Sequence, residues 1–69
     1  MIEVFKTNVQ EQSHAGELIA LFKSYFPGSR VNFDLEDCDR VLRFEGGTFH
    51  PSKIMSLMNE HGFDCTVLE

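Results

Sequence analysis

Twice along this chain the apolar side chains switch from the two-residue repeat of a strand to the roughly 3.6-residue repeat of a helix, and back again. That double switch constrains the fold more than any other feature. Ile2 to Val9 is rich in β-branched and aromatic residues; Phe5, Thr7 and Val9 fall on one face, with Ile2, Val4, Lys6 and Asn8 on the other. Polar residues follow from Gln10 to His14, with Ser13 as the expected helix N-cap. Ala15, Leu18, Ile19, Phe22 and Phe26 then recur at helical spacing, and Leu21 and Tyr25 widen the buried stripe. Pro27-Gly28 ends this helix, because the residue before a proline is pushed out of helical geometry and glycine tolerates the turn.

The second half repeats the scheme. Arg30 to Glu36 alternates, with Val31, Phe33 and Leu35 on the buried side. A polar turn through Asp37-Cys38-Asp39 leads into Arg40 to Glu45, where Leu42 and Phe44 point inward, so the pair reads as a hairpin. Gly46-Gly47 breaks the sheet and Pro51 suits the first turn of a second helix. Ile54, Leu57, Met58 and His61 are expected on its inner face, and Gly62 where a left-handed cap belongs. Phe63 to Leu68 closes the chain as a strand. The order is βαββαβ. Right-handed crossovers leave few ways to pack two strand–helix–strand units. The expected fold is therefore α+β and ferredoxin-like: a four-stranded antiparallel sheet with both helices on one face, one domain over residues 1–69.

Composition narrows the function classes. The formal net charge is -5, from 11 acidic and 6 basic residues. A nucleic-acid partner would call for clustered Lys and Arg, and an anionic membrane for a basic face, so neither is expected. Two cysteines are too few for a secreted disulfide framework, and the first residues carry no basic segment followed by an apolar run. A reduced, cytoplasmic protein is the expectation. No Ser/His/Asp or Cys/His set with a workable geometry is visible, and Gly46-Gly47 is only a dipeptide, so no enzyme is expected.

The stretch Phe26-Pro27-Gly28-Ser29-Arg30-Val31-Asn32-Phe33-Asp34-Leu35 resembles the passage from helix one to strand two in heavy-metal-associated domains, the fold of copper chaperones and of N-terminal modules of metal-pumping ATPases. Arg40-Val41-Leu42-Arg43-Phe44 is similar to their third strand, and Ile54 to Phe63 to their second helix with its glycine and aromatic. Metal-carrying members have Cys-x-x-Cys after strand one. Counted back from Pro27, those two positions fall here on Glu11 and His14. A carboxylate and an imidazole suit Zn(II), Ni(II) or Cu(II) far better than Cu(I), which favours soft thiolate. The resemblance thus implies the scaffold and withholds its copper chemistry, and no cofactor beyond weak Zn, Ni or Cu(II) is expected.

Topology brings the loop after strand one, the Asp37-Cys38-Asp39 turn and the His61-Gly62-Phe63 turn to one end of the sheet. Glu11, His14, His61 and Cys38 are therefore the candidate metal ligands. The simpler reading of Glu11 and His14 is solvated residues at a helix start, with Glu11 complementing the helix dipole. Cys65 alternates with Phe63 and Val67 and reads as a small buried hydrophobe. On the outer sheet face, Ile2, Val4, Val41 and Leu68 offer an apolar surface for a protein partner or for self-association.

Overall fold

The computed structural model describes residues 1–68; Glu69, the last residue of the expected domain, lies outside them. The elements are β1 (Ile2–Thr7), α1 (Gln12–Tyr25), β2 (Arg30–Asp34), β3 (Val41–Glu45), α2 (Pro51–Glu60) and β4 (Cys65–Val67). The strands form one antiparallel sheet in the order β2-β3-β1-β4. This is the α+β, βαββαβ arrangement expected from the two periodicity switches.

One apolar cluster holds the molecule together. Phe5, Val31, Leu42, Phe44 and Cys65 come from one face of the sheet; Ala15, Leu18 and Phe22 come from α1, and Ile54, Leu57 and Met58 from α2. Both helices therefore cover the same face. Phe44 is its centre: the rings of Phe22, Phe26 and Phe49 meet it edge-on, with centroids 5.7, 5.3 and 4.7 Å away. Such geometry sets the positive ring edge against the negative ring face, adding about 0.5–1.5 kcal/mol per pair beyond area burial. Phe49, in the loop before α2, is a core residue that the sequence periodicity did not mark, because it belongs to no repeat.

Several expectations need correction. The N-cap of α1 is Glu11 in extended geometry, not Ser13, and it makes no side-chain cap hydrogen bond. The reason lies just upstream. Val9 is fully buried and its N–H donates to Thr7 Oγ1 at 3.2 Å, so the chain is pinned there and the helix starts early, with Ala15 N–H donating to the Glu11 carbonyl at 3.1 Å. Tyr25 does not widen the buried stripe and is 55% exposed, because Phe26 takes the packing position against Phe44. Phe33 does face inward, opposite Leu42 and against the core, and its place on the edge strand β2 leaves it half-buried.

His61 is also not on a buried helix face: it is exposed, at the C-cap of α2. The helix stops because Gly62 adopts a φ of 88°. Gly62 N–H then donates to the Asn59 carbonyl at 3.0 Å, and Phe63 N–H donates to the Met58 carbonyl, also at 3.0 Å. This pair of bonds is a Schellman cap, and it satisfies carbonyls that the helix end leaves free. The cap consumes Phe63, so β4 is shorter than the expected Phe63–Leu68, although Leu68 N–H still donates to the Val4 carbonyl at 2.8 Å.

Candidate functional site

Three connections meet at one end of the sheet. Thr7 N–H donates to the Asp39 carbonyl at 3.0 Å, and Lys6 Nζ lies 3.8 Å from an Asp39 carboxylate oxygen; these contacts join the end of β1 to the β2–β3 hairpin. Asn8 and Asp64 bridge the β1–α1 loop and the α2–β4 turn reciprocally. Asp64 N–H donates to Asn8 Oδ1 at 2.8 Å, and Asn8 Nδ2 donates to Asp64 Oδ2 at 3.3 Å. No local sequence signal marks this pair, since its two members are 56 residues apart.

The hairpin turn is built from carboxylate-to-backbone bonds. Asp34 Oδ1 accepts from Glu36 N–H at 3.2 Å, and Asp37 Oδ1 accepts from Asp39 N–H at 2.9 Å. Short acidic side chains favour turns because they can copy a backbone acceptor in this way. Arg40 ends the turn at a φ of 47° and donates through Nη1 to the Leu35 carbonyl.

Within this end, Glu11 and His14 stand together, with Oε2 and Nδ1 3.8 Å apart. The distance is beyond a hydrogen bond, and a solvent-exposed pair of this kind contributes little to stability. The His14 ring lies 5.5 Å from that of Phe63. His14, Glu17, Leu18, Ala20, Leu21, His61 and Phe63 line an open groove of about 570 Å³, so His14 and His61 share one depression. Cys38 belongs elsewhere. Among the described residues, the one group of three or more metal-competent side chains whose ligand atoms lie within 4.8 Å of one another is Asp37, Cys38 and Asp39. The structure thus pairs Glu11 with His14, sets His61 across the same groove, and leaves Cys38 in a separate acidic turn. Glu17, Leu21 and Phe63 also line the groove, and no sequence pattern marks them as site residues.

The two thiols differ. Cys38 is exposed and Cys65 is buried, and they are not bonded to each other. Burial pushes the Cys65 thiol up to about 12, because an apolar setting disfavours the thiolate. This agrees with a packing role.

Among the described residues, no helix covers the far side of the sheet. Ile2 is 51% and Leu68 37% exposed there, with Val4 and Val41 half-buried. Val4 lies opposite Arg43 on β3, and Arg43 Nη1 reaches Glu45 Oε1 at 3.6 Å. The surface is therefore an apolar strip along β1 and the end of β4, flanked by charges of both signs. No helix among the described residues is long and apolar enough to cross a membrane. Compared with protein-family models, with curated proteins and with solved structures, the chain matches none.

Proposed function

We propose that this chain is a cytoplasmic, non-enzymatic binding module. In this reading it is a heavy-metal-associated-like scaffold without the soft-metal cysteine pair, acting through the uncovered face of its sheet. The observation that carries the reading is the exposure of Ile2 and Leu68 beside Val4 on a face that no helix covers. Exposed apolar side chains gathered on one face mark association surfaces more often than scattered ones do. The partner we assign is a second copy. Lys6 and Arg43, interspersed with Asp34 and Glu45, give the face both signs of charge, which suits a self-complementary twofold contact. Burying about 800 Å² per copy, a standard interface, takes under a fifth of the 4332 Å² surface.

Sedimentation equilibrium tests this. Wild type should gain apparent mass with concentration, while Ile2→Glu, at an exposed position, should remain at the 7.9 kDa of one chain. A wild type that stays at that mass throughout contradicts the proposal.

A second reading is favoured by one observation: His14 and His61 line the same groove, with Glu11 3.8 Å from His14. The ligand atoms of Glu11, His14 and His61 do not all lie within 4.8 Å of one another, so the reading rests on the Glu11–His14 pair, with water completing the shell of a weakly held Zn(II), Ni(II) or Cu(II). His14→Ala should weaken Zn(II) at least about tenfold, or about 1.4 kcal/mol. An unchanged affinity, measured by amide NMR titration, eliminates this reading.

A further inference from the structure

At the opposite end of the sheet from the paired Glu11 and His14, a cleft of about 310 Å³ opens between the α1–β2 turn and the β3–α2 loop. Its apolar walls are the rings of Tyr25, Phe26, Phe44 and Phe49. Ligand sites are commonly concave, mostly apolar and supplied with a few placed polar groups, and this volume lies at the lower end of their range.

Two features set the cleft apart from a packing defect. Ser29 lines it, is only 9% exposed, and its Oγ is the one buried side-chain polar atom among the described residues without a hydrogen-bond partner. Buried polar groups are nearly always paired, so an orphan calls for a cause. Gly46 also lines the cleft, and no positive φ demands a glycine there. A Cβ at Gly46 would sit 3.5 Å from Ser29 Cβ, 3.7 Å from Phe44 Cε1 and 3.9 Å from Phe49 Cδ1. Those are ordinary contacts. A side chain is tolerated by the fold and would take up the space of the cleft.

Charge at this end favours an anion. Lys53 Nζ stands 6.0 Å from the Tyr25 ring at the cleft and Lys23 lies in the last turn of α1, whereas Arg30, which opens β2, falls on the outer sheet face. Glu3 and Glu45 bring carboxylates to the same end, and Arg43 engages Glu45 at 3.6 Å.

We propose that the cleft between Phe26, Ser29, Gly46 and Phe49 binds a small planar aromatic carboxylate. The ring packs among the phenylalanines, and the carboxylate accepts from the Ser29 hydroxyl once a χ1 rotation turns the buried Oγ into the cleft, its charge matched by Lys53. The site is independent of the outer sheet face, and its ligand need not affect association.

Benzoate is the probe, followed by two-dimensional amide NMR on the whole chain. Benzamide tests the charge requirement, and cyclohexanecarboxylate, an acid without a planar ring, tests the aromatic one. Saturable benzoate shifts confined to 25–29 and 44–49 are expected, with weaker binding of both analogues. Gly46→Ala should weaken benzoate about tenfold, and Ser29→Ala should weaken it severalfold, both with the amide pattern of the fold retained. Absent or unsaturable shifts, shifts centred elsewhere, equal binding of the three compounds, or full affinity in both variants would each overturn the proposal.

Discussion

Cys65 shows what a single buried side chain does to this molecule. In the unfolded chain its thiol titrates near the ordinary 9.0; in the fold burial pushes it up to about 12. Below pH 9 both states hold the proton and the residue adds no pH dependence. Between the two values the unfolded state releases a proton that the native state keeps, so stability falls as pH rises, by roughly 1.4 kcal/mol per unit at most. Urea unfolding should show this loss above pH 9, and Cys65→Ala should flatten it. An unchanged slope in the variant would contradict the assignment. The same burial makes Cys65 slow towards thiol reagents, whereas exposed Cys38 should be modified first in the native protein. Mass spectrometry after brief alkylation distinguishes the two sites.

At the scale of elements, the helix ends carry a sharper test than the helix bodies. Gly62 has a φ of 88°, and a Cβ there would meet nothing within 4 Å. Gly62→Ala should therefore destabilise through backbone conformation alone, by about 1 kcal/mol. Gly47 also has open space around it but no positive φ, so Gly47→Ala should be neutral or slightly stabilising. Equal effects of the two substitutions on the urea midpoint would refute the cap account. The bodies of the elements were readable in advance, because Leu18 and Phe22, Ile54 and Leu57, and Leu42 and Phe44 repeat at the spacing of the structure they form. Their ends were less readable. Glu11 displaces Ser13 as the N-cap because Val9 is pinned in the core, and Phe63 leaves β4 because its backbone completes the Schellman cap. Both outcomes depend on tertiary packing that no local pattern contains.

For the whole molecule, the strand order followed from element order and handedness, and so did the meeting of three connections at one end of the sheet. Which side chains would share that end was not readable to the same degree. The Asn8–Asp64 bridge links distant residues, and the turn bonds of Asp37 keep Cys38 in its own acidic cluster, away from Glu11 and His14. Phe49 and the orphaned Ser29 hydroxyl shape the other end without belonging to any repeat. What remains after this folding is an uneven molecule: two helices cover one sheet face, and the strip of Ile2, Val4 and Leu68 on the other meets solvent.

On the proposed function, this uncovered strip is the working surface of the molecule. The most direct measurement is a dilution series followed by two-dimensional amide NMR, because it reports association and its location together. Concentration-dependent shifts centred on Ile2, Val4, Arg43 and Leu68 are expected, with the groove of His14 and His61 unaffected. A spectrum that does not change with concentration, or one that changes only at that groove, would contradict the proposal.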